Sequence, residues 1–162
     1  MTRPSCISDS TPLIALARIG ELDLARSVFS KLVIPETVAK EVTEARADAP
    51  GARKVAEAGW IEKAVADPLL VRPLLLLVDQ GEAEAIALAQ SAPGSLLLTD
   101  DRKARRVARQ LGIRVQGTLG LLARAKRAGV IPAVRPLITR LQATNYRIAD
   151  RIVEDVLRRL GE

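Results

Sequence analysis

Five short apolar or β-branched runs punctuate this chain of 162 residues. They are Cys6-Ile7-Ser8, Lys31-Leu32-Val33-Ile34, an alternating stretch from Trp60 to Ala66, Ser95-Leu96-Leu97-Leu98, and Ile113-Arg114-Val115. None is long enough for a stable helix, and segments with helical periodicity separate them. That alternation predicts an α/β fold with a mainly parallel sheet, whose strands are apolar because both faces are covered. No repeat, low-complexity stretch or linker divides the sequence. The expectation is therefore one domain over residues 1–162, with C-terminal helices from about 133 to 160 packed on it.

The connecting segments carry their own signals. Thr11 before Pro12 predicts a helix with Thr11 as its cap and Pro at the first helical position. Leu22 to Phe29 is helical. Pro35 opens a helix with Val38, Val42 and Ala45 as its apolar stripe, and Ala49-Pro50-Gly51 breaks it. A further helix runs up to Gly59. Leu69 to Val78 predicts a helix kinked at Pro73, and Gly81 to Ser91 an Ala-rich one. Helices also follow Asp100-Asp101, reaching Leu111, and Thr118, reaching Ala128. Of two more at the end, the last is amphipathic through Ile148, Ile152, Val153, Val156, Leu157 and Leu160.

What the chain lacks narrows its chemistry. It has no His and a single Cys, Cys6. This excludes Ser-His-Asp and Cys-His nucleophile systems, imidazole acid–base catalysis, thiolate zinc clusters and an internal disulfide. Cys6, in an apolar strand, reads as a buried core residue. The N-terminus has no apolar signal core. The run Leu69–Val78 is interrupted by Arg72-Pro73 and falls short of the ~20 residues a membrane span needs. A soluble, cytoplasmic protein is the expectation.

Charge is unevenly distributed. Of the net +6, residues 1–81 hold 10 basic and 11 acidic side chains, whereas residues 82–162 hold 15 and 8. From Arg102 to Ala149 there are twelve basic residues and no acidic one. A stretch of one sign points to a polyanionic partner. Aromatics make up only 2% of the chain, so phosphate contact is the expected mode rather than a base-stacking platform.

Acids mark where chemistry could occur. Asp9 follows the first strand and Asp100-Asp101 follow the fourth. In parallel α/β sheets the functional crevice lies beyond the carboxyl ends of the strands, so these carboxylates meet if the two strands are neighbours. Glu41 lies mid-helix beside an apolar stripe, and Glu82 and Glu84 open the Ala-rich helix. Dispersed acids without His suit a hard divalent cation, which prefers carboxylate oxygens. The basic stretch starts directly after Asp101, so cation site and phosphate-binding surface would adjoin, as a nuclease requires.

Five segments, in order, resemble the PIN-domain family: Cys-Ile-Ser-Asp-Ser-Thr-Pro-Leu-Ile-Ala-Leu (6–16), Val-Ile-Pro-Glu-Thr-Val-Ala-Lys-Glu-Val (33–42), Gly-Glu-Ala-Glu-Ala-Ile-Ala-Leu-Ala (81–89), Leu-Leu-Leu-Thr-Asp-Asp-Arg-Lys-Ala-Arg (96–105) and Gly-Ile-Arg-Val-Gln-Gly-Thr-Leu-Gly-Leu-Leu (112–122). The last is similar to a prokaryotic subgroup of PIN-like proteins. The resemblance implies a three-layer α/β/α sandwich and an endoribonuclease dependent on Mg²⁺ or Mn²⁺, often the toxin of a VapC-like toxin–antitoxin pair. It also implies RNA as substrate, a small antitoxin protein as partner and often a homodimer. Carried over, Asp9, Glu41, Glu82 and Asp101 are the metal-binding and catalytic acids, with Ser10 or Thr11 as the neighbouring hydroxyl. Glu84 competes with Glu82, since toxin members usually hold Asp there, and Asp100 is an extra acid beside Asp101. Arg102, Lys103, Arg105 and Arg106 are the candidates for holding the RNA backbone. The alternative is a catalytically inactive PIN-like module that binds RNA or protein.

Overall fold

A computed structural model describes residues 2–44 and 47–162. Ala45, the expected third member of the Val38–Val42 stripe, lies outside them. The elements run β1 (Ser5–Ser8), α1 (Ser10–Arg18), α2 (Asp23–Val28), β2 (Lys31–Pro35), α3 (Glu36–Thr43), α4 (Ala52–Glu57) and β3 (Glu62–Ala64). There follow α5 (Pro68–Leu74), α6 (Gln80–Ser91), β4 (Leu96–Leu98), α7 (Arg102–Gln110), β5 (Arg114–Gln116), α8 (Thr118–Arg127), α9 (Arg135–Ala143) and α10 (Asp150–Arg159).

The five strands form one sheet in the order β3-β2-β1-β4-β5, every pair parallel. Side chains alternate between its faces, as the pleat demands. Cys6, Leu32, Ile34, Leu96 and Leu98 enter a core shared with α1, α2, α8 and α9. Ile7 and Leu97 enter a second core with α5, α6 and α7. Helices thus cover both faces, giving the expected three-layer α/β/α sandwich. Ala83, Ala85, Ala87 and Ala89 are all buried on α6. Their small side chains let that helix lie close across β2, β1 and β4.

Two expectations need correction. The first helix starts at Ser10, with Asp9 at the cap position, and not at Pro12 with Thr11 as cap. Pro12 sits within the first turn, where its missing N–H has no intrahelical role. The helix expected over Leu69–Val78 is displaced to Pro68–Leu74, ending one residue after Pro73 and giving way to a turn. The last helix is amphipathic as expected: Leu157 is buried in the first core, Ile148, Val153 and Leu160 are half-buried against it, and Ile152 is exposed.

Candidate active site

The strand order reverses between β1 and β4, which makes their carboxyl ends the switch point of the sheet. Ser8 pairs with Leu98, so the next residues, Asp9 and Thr99, emerge side by side. Asp9 occupies the cap position of α1 but its carboxylate does not cap that helix. Instead Thr99 Oγ1 donates to Asp9 Oδ2 at 2.6 Å. Asp9 is only 8% exposed, and its other oxygen, Oδ1, is buried without a hydrogen-bond partner among the described residues. Burial pushes its pKa up to about 7, against the Thr99 hydrogen bond, and the charges of Asp100, Glu82 and Asp79 add to the rise. An orphaned carboxylate oxygen with acids around it is a costly arrangement that a cation would relieve.

The other acids approach from α3, α6 and α7. Ser10, buried on the first turn of α1, donates through Oγ to Glu41 Oε1 at 3.1 Å. Ser10, and not the exposed Thr11, is therefore the hydroxyl among the acids. Gly81 sits where a Cβ would lie 3.2 Å from Val38, 3.8 Å from Glu41 Oε2 and 3.9 Å from Asp79 Oδ1, so α3 and the start of α6 touch here. Asp79 and Glu82 form a capping box: the Glu82 N–H donates to Asp79 Oδ1 at 2.9 Å and the Asp79 N–H to Glu82 Oε2 at 3.2 Å. Burial and the charges of Asp79 and Asp101 raise the Glu82 pKa. Asp101 caps α7, its Oδ1 accepting from the Ala104 N–H at 2.7 Å, while its own N–H donates to Thr99 Oγ1 at 3.2 Å. Thr99 thus bridges the first and last acids.

Asp79 is the acid that sequence reasoning missed. It acts on both Asp9 and Glu82 electrostatically. Its signal was present, because Asp-x-x-Glu ahead of an apolar helix is the capping-box spacing. Glu84 stands apart, its carboxylate taking a hydrogen bond from Gln80 one turn earlier. Asp100 is bonded to the start of α8, while its charge acts on Asp9. Its two oxygens accept from the Thr118 N–H at 2.8 Å and Thr118 Oγ1 at 2.6 Å. The Tyr146 hydroxyl lies against the same carboxylate, and burial with that negative charge pushes the tyrosine pKa up. At Gly117 a Cβ would stand 2.8 Å from Asp100 Oδ1 and 3.0 Å from Arg105 Nη1, a space only glycine leaves open.

On α7 the exposed face carries Arg102, Lys103, Arg106 and Arg109, while Ala104, Val107 and Ala108 are buried. Arg105 does not share that face. It is half-buried beside Asp100 and Gly117, with Nε buried and without a hydrogen-bond partner among the described residues. Among the described residues no three acids are close enough, as placed, to hold an ion. The donor chemistry still suits a hard divalent cation, being all carboxylate oxygen and centred on the orphaned Asp9 Oδ1.

A family model described as a PIN domain, DUF3368, matches residues 5–162. The chain belongs to the PIN-domain family. No curated protein matches it. Membership agrees with the all-parallel sheet covered by helices on both faces. It makes this PIN domain a nuclease-type fold. No helix among its described residues is long and apolar enough to cross a membrane.

Proposed function

We propose that this PIN domain is a metal-dependent endoribonuclease that hydrolyses RNA phosphodiester bonds, the toxin of a toxin–antitoxin pair. The observation that carries the reading is the buried Asp9 Oδ1 at the switch point, without a hydrogen-bond partner among the described residues and under the charges of Asp100, Glu82 and Asp79. Asp9, Glu41, Glu82 and Asp101 would hold Mg²⁺ or Mn²⁺, with Asp79 reinforcing the negative field. When bound, the ion supplies charge neutralisation on the phosphate and a more acidic water. Thr99 keeps Asp9 and Asp101 in register, and Ser10 orients Glu41. Arg102, Lys103 and Arg106 hold the RNA backbone, on a helix whose first turn adjoins Asp101. Arg105 supports the Asp100 corner instead.

The test is cleavage of structured RNAs by purified protein in Mg²⁺ or Mn²⁺, with and without EDTA, beside Asp9→Asn. Metal-dependent cleavage that the variant loses supports the reading, whereas equal cleavage by both refutes it. A small antitoxin gene next to this one, whose product abolishes cleavage, supports the toxin role. One observation favours an inactive binding module instead: Glu82 and Asp101 are already engaged as helix caps. RNA binding without cleavage in either metal would decide for that module.

A further inference from the structure

A cavity of about 220 Å³ opens at the amino ends of β1, β2 and β3, the edge of the sheet opposite the acids. A five-residue strand separates the two edges by roughly 13 Å, so this is a different place from the candidate active site. Its polar lining among the described residues is Arg3, Arg26, Ser30 and Lys31, with no acid, and its apolar lining includes Phe29 and Trp60. The chain has one Trp, one Tyr and one Phe, so two of its three aromatics line this cavity.

The lining groups are held in place. The Arg26 guanidinium stacks over the Trp60 ring, 6.0 Å from its centroid. Arg3 Nη1 donates to the carbonyls of Arg26 and Ser27 at 3.3 and 3.2 Å, fixing its head group at the end of α2. Lys31 pairs with Glu62 at 2.9 Å, but both are about half exposed, so the pair is weak and exchangeable. Three cations around one hollow repel each other, and an anion in the hollow relieves that repulsion. An indole wall adds affinity for a flat ring.

We propose that this cavity binds a nucleotide, its base against Trp60 and the Arg26 guanidinium and its phosphate between Arg3 and Lys31. At about 220 Å³ the cavity is below the ~300–1,000 Å³ of drug-sized pockets, so it takes the base, with the sugar and phosphate at its open mouth. The site is independent of the cleavage reading, since none of its groups lies among the acids. The nucleotide is either free in solution or one unit of an RNA strand.

Trp60 is the only tryptophan, so its fluorescence reports on the cavity directly. The intact chain in EDTA, excited at the red edge of the indole band, is titrated with AMP, adenosine and a short single-stranded RNA without terminal phosphates. Calorimetry provides a second readout. Expected is saturable quenching by AMP and at least ten-fold weaker binding of adenosine. Arg26→Ala and Lys31→Ala, both at exposed positions, each weaken AMP binding about ten-fold with unchanged circular dichroism. Asp9→Asn binds as well as the parent. RNA that binds more tightly than AMP and is displaced by it identifies a strand nucleotide as the occupant. AMP binding with no effect of RNA identifies a free one. The proposal is overturned if neither AMP nor RNA gives a saturable signal, if adenosine matches AMP, or if neither variant changes AMP affinity.

Discussion

Replacing Asp9 by Asn removes a charge that the fold holds at a loss. An acid whose folded pKa exceeds its unfolded one binds its proton more tightly when folded. Its ionisation therefore destabilises the fold progressively as pH rises from the unfolded value through the folded one. For Asp9 those values are 3.8 and about 7. By linkage the penalty is about 1 kcal/mol at pH 4.5 and about 4 kcal/mol at pH 8. Asn keeps an acceptor for Thr99 but buries an unpartnered amide where Oδ1 stood, costing about 1–3 kcal/mol at every pH. Relative to the parent, the variant should thus gain about 3 kcal/mol between pH 4.5 and pH 8. With an m-value of about 2 kcal/mol/M this is ~1.5 M in the urea midpoint, read by circular dichroism in EDTA. The variant is then the less stable protein in acid and the more stable one at pH 8. At pH 8, Mn²⁺ should raise the midpoint of the parent and leave the variant unchanged. Parallel pH profiles for the two proteins would refute the reasoning.

The same geometry sets the outcomes for other variants. Thr99→Val removes the donor to Asp9 and the acceptor for the Asp101 N–H, so stability should fall by about 1–3 kcal/mol and calorimetric Mn²⁺ affinity should drop, with Thr99→Ser restoring both. Asp101→Asn should hold its melting temperature, because Asn caps a helix as well as Asp, yet lose metal-dependent cleavage; Asp100→Asn should lose about 1–3 kcal/mol by breaking its bonds to Thr118. Replacing Arg102, Lys103 and Arg106 together by Ala should lower the log–log salt slope of single-stranded RNA binding by about 2, whereas Arg105→Ala should lower thermal stability and leave that slope unchanged.

The fold was legible because strand and helix periods differ and the strands are apolar on both sides. Cys6, Ile7 and Leu96 to Leu98 could belong only to a covered sheet, and they line its two cores. Strand neighbourhood was not legible, since nothing local says that β4 lies beside β1 and not beside β3. The proximity of Asp9 to Asp101 therefore stayed conditional until the register brought Asp9 against Thr99. The start of α1 was misplaced because Thr-Pro is a strong cap signal, whereas Pro12 is tolerated deeper in the first turn. Glu82 and Asp101 each engage one carboxylate oxygen in a helix cap, a role that only the placed helix starts reveal. Sequence offered Asp100 as an extra acid of the metal site and Arg105 as a contact to the RNA backbone. Their burial depends on Gly117 and Tyr146, which meet them only in three dimensions.

The most direct test of a divalent-cation site at the switch point is an anomalous-scattering map from a crystal of this PIN domain grown in Mn²⁺. The expected result is a Mn²⁺ peak bonded to Asp9 Oδ1, with Asp101 and at least one of Glu41 and Glu82 among its ligands. A map at saturating Mn²⁺ with no peak at Asp9, or with the ion on Asp100 or Glu84 alone, would contradict it.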